Sequence, residues 1–260
     1  MARKIPFLGL PFDALTMEQV LGAIDGFIAE RRPRKIFCPN VSLLTMARGD
    51  PKLRRVYETC DLLPIDGMGI YYASRLVTPA FPDSCSAVSI AMRLLERSAS
   101  KNYRFYFLGT RPEVLERAVV NVRRQFPGAN IVGWHHGFFT EESEPEIAGK
   151  IAAARPDILL LGMSSPKKEF FVHRNLGRMG VPVCLGVGGT LDILAGEYSL
   201  APEWVRRAAL EWVYRLVQEP SRLWKRYLAT NTQFLILLIL EIFHRMFYRS
   251  TNPTESGAGK

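Results

Sequence analysis

No CxxC pair, no DxD pair, no GxGxxG and no Walker-type loop occurs anywhere in these 260 residues. The four cysteines, Cys38, Cys60, Cys85 and Cys184, stand far apart, which argues against zinc or a disulfide framework and for reduced thiols in a cytoplasmic setting. Without DxD there is no familiar carboxylate clamp for a divalent ion on a bound diphosphate, so cationic side chains would have to neutralise such a ligand. An oxidoreductase on a Rossmann sheet would carry a dinucleotide fingerprint after its first strand, and IPFLGLPFDA has none. The start, MARKIPFLGLPFD, is basic, but its apolar run is short and broken by Pro6 and Pro11, so it does not read as a secretory signal.

Apolar residues make up 48% of the chain, enough for a packed core, and the formal net charge of +9 points to anionic partners. Nucleic acid, anionic lipid and phosphorylated substrates all fit that charge. Over the first two-thirds, strand-like and helix-like segments alternate. Thr16 with Gln19 forms a capping box for a helix reaching about Arg31. Strands are expected at Lys35–Cys38, Leu62–Ile65, Tyr103–Leu108, Asn130–Trp134, Asp157–Leu161 and Pro182–Gly186. Helices are expected from Asn40 and over Ala87–Ser98, Glu113–Gln125 and Glu144–Ala154. Apolar strands separated by amphipathic helices predict an α/β, Rossmann-like fold: a mainly parallel sheet of roughly six strands with helices on both faces.

After Gly196 no strand alternates with the helices. Residues 1–196 are therefore read as the Rossmann-like domain, 197–249 as a C-terminal helical appendage and 250–260 as a disordered tail. The apolar run Phe234–Phe247 would be roughly 21 Å long as a helix, too short for a bilayer core. It fits a membrane-interface helix, flanked by Trp212, Trp224, Tyr227 and arginines, and fits equally a helix buried in a core or an oligomer contact.

In a doubly wound sheet, ligands collect beyond the carboxyl ends of the strands. Asn40 and Asp66 fall there. Asp66 is suited to take a proton from a sugar hydroxyl, but either residue would also serve as an ordinary helix cap. The turns at Gly109 and along GVGGTLDILAG, with Gly188, Gly189 and Asp192, can cradle a diphosphate or simply join strand to helix. Lys168 follows a buried strand and can offset phosphate charge or lie on a solvated helix start. His135 and His136, adjacent on a strand, would point to opposite faces and are a poor metal pair. The appendage adds Arg206, Arg207, Arg215, Arg222, Lys225 and Arg226, suited to phosphates or to anionic headgroups.

Taken together, these segments resemble the WecG/TagA/CpsF glycosyltransferase family, glycosyltransferase family 26. The pieces are Pro39-Asn40, LLPIDGMGI, FLGTRPEV, IVGWHHGFF, ILLLGMSSPKKE, LGVGGTLDILAG and EWVYRLVQEPSRLWKRY, in family order over roughly Ile5 to Thr230. The resemblance implies a cofactor-free, metal-independent, inverting enzyme. It would move a sugar from a UDP-sugar (N-acetylmannosamine type, glucose or uronic acid) to a polyprenyl-diphosphate-linked saccharide. The setting would be cell-surface polysaccharide synthesis at the inner face of the plasma membrane. It implies Asp66 as general base and Asn40 as a substrate-positioning neighbour. Phe138, Gly188, Gly189 and Asp192 match the family's uridine and diphosphate segments, and the turn at Gly109 and Lys168, both suited to phosphate, join them as donor-binding candidates. Arg215, Arg222 and Lys225 would belong to an appendage that closes over the site. It brings a membrane surface and a possible homo-oligomer as partners, but no nucleic acid. The chain departs from the family at Cys38 (usually Thr), Lys168 (usually Gln), PDSCSAVS after the Asp66 helix, and Leu200 (the Arg of an RAP motif). The rival class is a non-catalytic basic module binding membrane or nucleotide.

Overall fold

A computed structural model describes residues 3–78 and 81–251. The chain opens with an antiparallel hairpin, β1 (Lys4–Phe7) and β2 (Leu10–Asp13), which is absent from the expected elements. Leu8 and Gly9 form its turn, both at positive φ (47° and 89°). The prolines that read as breakers, Pro6 and Pro11, face each other across the ladder. With Phe7 and Leu10 paired next to the turn, Pro6 and Pro11 occupy the non-hydrogen-bonded pair, where no N–H is needed.

Helix α1 (Met17–Glu30) begins at the expected Thr16–Gln19 capping box. There follow β3 (Arg34–Phe37), α2 (Val41–Gly49), α3 (Pro51–Glu58), α4 (Met68–Ser74) and α5 (Ala87–Lys101). Then come β4 (Arg104–Gly109), α6 (Pro112–Gln125), β5 (Asn130–His135), α7 (Glu144–Ala154), β6 (Ile158–Gly162), α8 (Lys167–Met179), β7 (Val183–Gly186) and α9 (Thr190–Leu194). The main sheet has five strands, all parallel, in the order β3-β7-β6-β4-β5. The α/β, Rossmann-like reading therefore holds. β6 is buried throughout: Leu159 and Leu161 enter one core, and Ile158 and Leu160 the core on the opposite face.

The strand expected at Leu62–Ile65 does not form. A single parallel bridge joins Leu62 to Ile36, and Pro64 has no N–H to continue a ladder. Leu63 is instead held by the hairpin, its amide donating to the Asp13 carboxylate (2.7 Å) and its carbonyl accepting from the Asp13 amide (3.0 Å).

Helices α6 and α8, which follow the adjacent strands β4 and β6, pack on opposite faces, so a crevice opens beyond those strand ends. The appendage, α10 (Glu203–Arg207), α11 (Glu211–Gln218) and α12 (Pro220–Thr251), lies over this edge. α12 packs on α2, burying Phe234 and Leu238, while Leu228, Leu235, Ile236, Ile239, Leu240 and Phe243 stay exposed. The apolar segment is longer than expected: Leu223–Arg245 has the length and composition of a membrane span, although part of it is packed on the protein. From residue 252 on, the expected tail lies outside the described residues.

Gly109, at φ +146°, closes β4 against β6. A Cβ there would lie 2.4 Å from the carbonyl carbon and oxygen of Gly162. Gly109→Ala is expected to destabilise the fold by about 3 kcal/mol or more. Gly149→Ala, on an open face of α7 with nothing within 4 Å, should be neutral or stabilising by up to about 1 kcal/mol. Urea unfolding midpoints of the two variants check the contrast.

Candidate active site

Two cavities adjoin at the carboxyl edge of the sheet. The larger, of about 870 Å³, lies between the turns after β4, β5 and β6 and the appendage. The smaller, of about 430 Å³, is enclosed by the start of α4, the start of α5 and the helices α10 to α12. Asn40, Ser42, Leu43, Lys168, Gly188, Gly189 and Arg215 line both and so form their common wall. Residues drawn from β3, β6, β7 and the appendage converge here because parallel strands deliver all their outgoing turns to one edge.

Asp66 lines the smaller cavity. It is not a cap for α4: the N-cap is Gly67, at φ +92°, with no side-chain hydrogen bond. The Ala87 amide at the start of α5 instead favours the charged form of the Asp66 carboxyl. Burial pushes its pKa up to about 7, and the Glu211 carboxylate, carried in by α11, adds to the rise. Arg215, the Ala87 amide and Lys168 pull the other way. Asn40 does cap its helix, its Oδ1 accepting from the Leu43 amide at 3.2 Å, so the group it offers the cavities is the N–H₂.

Lys168 is buried, and its ammonium lies 2.8 Å from Glu169 Oε1. The same oxygen accepts from the Ser165 hydroxyl (2.8 Å) and the Tyr57 hydroxyl (3.0 Å), and Lys168 also donates to Ser165. The solvated-helix-start reading of Lys168 is thereby excluded. It is a fixed, locally neutralised charge, and not a mobile cation.

In the turn after β7, Gly188 takes φ +53°, and Gly189 admits Arg215, whose Nη2 lies 2.6 Å from where a Cβ would stand. Asp192 lines the large cavity with one oxygen accepting from the Thr110 hydroxyl. Phe138 stands exposed at the rim, on a loop that Lys167 pins by donating to the carbonyls of Gly137 (3.0 Å) and Phe139 (2.6 Å). Gly109 touches neither cavity and serves strand packing. Lys225 also lies outside both, its ammonium over the Trp224 ring at 5.4 Å. The side chain of Arg222 lies outside the described residues.

Arg226 and Thr110 line the large cavity, and Arg206, Glu211, Trp212 and Tyr227 the small one. The sequence offers Arg206 and Arg226 only among six appendage cations for phosphates or headgroups, and it does not single out Thr110, Glu211, Trp212 or Tyr227 as lining a site. His136 lies beyond the end of β5, where strand alternation stops, so the two histidine rings come to 4.4 Å instead of facing apart. Among the described residues no group of three or more His, Cys, Asp or Glu is placed to hold a metal ion.

The raised pKa has a thermodynamic consequence. The native state binds the Asp66 proton more tightly than the unfolded chain, whose carboxyl titrates near 4. Stability contributed by the neutral carboxyl is full below about pH 4 and is lost as pH rises to about 7. Asp66→Asn keeps the neutral form, so above pH 7 it should exceed the wild type in stability by roughly 2–4 kcal/mol. Glu211→Gln should lower the Asp66 midpoint, measured by carboxyl-carbon NMR titration.

The family model described as "Glycosyl transferase WecG/TagA/CpsF family" matches residues 5–247. Among curated proteins, the chain is 31% identical over 183 residues to an N-acetylglucosaminyldiphosphoundecaprenol N-acetyl-beta-D-mannosaminyltransferase of Bacillus spizizenii, covering 70% of each chain. It is 30% identical over 187 residues to the identically named protein of Bacillus subtilis, covering 72% of each. To that of Staphylococcus aureus it is 26% identical over 225 residues, covering 86% of each. With a match over nearly all of its length and relatives aligned across the same core, this chain belongs to the WecG/TagA/CpsF glycosyl transferase family.

Proposed function

We propose that this glycosyltransferase transfers a sugar of the N-acetylmannosamine class from UDP to a polyprenyl-diphosphate-linked saccharide, with inversion at the anomeric carbon. The observation that carries the reading is the shared wall of the two cavities: Asp66 opens to one, the Gly188–Gly189 turn and Arg215 border both, and Phe138 and Asp192 border the other. UDP occupies the larger cavity, its uracil against Phe138 and its diphosphate at the glycine turn. The sugar points through the common wall towards Asp66. The acceptor enters the smaller cavity, where Asp66 takes the proton of the attacking hydroxyl as the oxygen bonds to the anomeric carbon. The bond to UDP breaks on the opposite side, and Arg215 and Arg226 meet the charge that develops on the leaving diphosphate. Arg215 is available for this because it makes no ion pair among the described residues. The relatives are named for N-acetylmannosaminyl transfer to a diphosphoundecaprenol-linked N-acetylglucosamine, which supports the substrate classes.

A lipid-linked acceptor requires the protein to work at a membrane surface, and we assign that contact to the exposed apolar face of α12 on the cytoplasmic side. Ile236, Leu240 and Phe243 form one stripe at helical spacing. Replacing all three with Glu should cut sedimentation with anionic phospholipid vesicles at least about tenfold. The variant should keep UDP binding, and unchanged sedimentation would remove α12 from the membrane contact.

For the chemistry, Asp66→Asn should lower turnover by about 100-fold or more while leaving UDP binding by isothermal titration nearly unchanged. In the wild type, kcat/KM should rise with pH through about 7 as Asp66 ionises. Full turnover in the variant would take the base role away from Asp66. Titration with NAD or short DNA should give no comparable heat.

A further inference from the structure

The smaller cavity holds more carboxylate than a diphosphate-bearing acceptor would tolerate without a cation of its own. Asp66, Glu169 and Glu211 line it, and so do three cations, Lys168, Arg206 and Arg215. Lys168 is committed to Glu169 at 2.8 Å. Arg215 borders both cavities and lies over Gly189 on the side of the donor turn. Arg206 lines only the smaller one. Its neighbours on α10, Glu203 and Arg207, pair with each other one turn apart, and Arg206 makes no ion pair among the described residues.

The Nε of Arg206 is buried and has no hydrogen-bond partner among the described residues. A guanidinium N–H removed from water and left unbonded is costly, and native proteins seldom keep one without a use for it. The free Nε–H matters geometrically as well. Together with the adjacent Nη–H it makes the side-on fork that binds two oxygens of one phosphate in parallel. Trp212 and Tyr227 line the same space and offer aromatic faces to a sugar ring, with Phe234 and Leu235 of α12 beside them.

We infer that Arg206 is the acceptor-binding residue of this enzyme: its Nε–Nη fork holds the diphosphate that joins the acceptor sugar to its lipid. The inference rests on the reading of the smaller cavity as the acceptor site. On an acceptor of one sugar, the attacking hydroxyl and the diphosphate are substituents of the same ring, roughly 5–6 Å apart. An acceptor with its hydroxyl at Asp66 thus keeps its diphosphate within this cavity. Arg206 fixes where along the wall it lies, and with it which hydroxyl reaches Asp66. The donor diphosphate stays with Arg215 and Arg226, so the two anionic groups are held by different cations.

The test uses the full chain, UDP-N-acetylmannosamine as donor, and two acceptors: farnesyl-diphosphate-linked N-acetylglucosamine and a phosphate-free alkyl N-acetylglucosaminide. Arg206→Gln should raise KM for the diphosphate acceptor at least about tenfold, the scale of a lost bidentate phosphate contact. KM for the donor should stay within about twofold. The wild type's preference for the diphosphate acceptor over the phosphate-free glycoside should shrink by the same factor, with Arg206→Lys in between. An unchanged acceptor KM, an equal rise in donor KM or an unchanged preference would overturn the assignment. Should Arg206→Gln fail to bind UDP and so prove misfolded, Arg206→Lys carries the comparison. Titration with farnesyl diphosphate separates this inference from its parent. If the wild type binds it and Arg206→Gln does not, Arg206 is a diphosphate ligand even when the tested sugars are not turned over. If the wild type neither binds it nor uses the acceptor, while still binding UDP, both readings fall.

Discussion

Burying a carboxyl group disfavours its charged form, and the site of this glycosyltransferase is organised around the one at position 66. Asp66 lies in a half-buried position, feels a second carboxylate from the appendage, and has its charged form favoured by the first amide of α5. Its pKa of about 7 places it where a base both ionises at working pH and still takes up a proton well. The same arrangement costs the fold stability, which a neutral residue at that position would not.

That tuning depends on the appendage. Glu211 and Arg215 lie one helical turn apart on α11 and act on Asp66 in opposite senses. Their approach in turn depends on Gly189, where a side chain would displace the Arg215 guanidinium. The Gly188–Gly189 turn, Asp66 and the appendage therefore meet through Arg215, and a change at that arginine shifts the charge felt at Asp66. The fixed pair Lys168–Glu169 forms the rigid part of the common wall, with its aliphatic end packed against Gly186.

The departures from the family pattern take on physical meaning here. Cys38 lines the smaller cavity, and burial, reinforced by Asp66, pushes its thiol well above the ordinary range, so it presents a neutral surface beside Asp66. Lys168, where the family usually has Gln, brings a positive charge to the junction of the two cavities, but Glu169 cancels it locally. The segment PDSCSAVS supplies Ser86, which caps α5, and the Ala87 amide, which favours the charged form of Asp66. Leu200, where an Arg would complete an RAP motif, lines neither cavity.

Periodicity and capping chemistry are local, and what depended on them could be read directly: the alternating α/β order, the Thr16–Gln19 start of α1, the continuous apolar run of β6, and the position of Asn40 beyond β3. Where a local rule met a tertiary partner it failed. Asp13 drew Leu63 out of any ladder, Pro6 and Pro11 shared a non-bonded pair, and Gly109 proved to be a packing contact with Gly162. Only the folded chain could decide which of the many appendage cations face a cavity, that Lys225 does not, and that Glu211 acts on Asp66 from about 140 residues away in sequence while Arg206 lines the same cavity. A basic amphipathic helix is the same string of residues whichever face it turns inward. The choice of face is made by the surface it packs on, and that surface here was built by α2 and the strand ends.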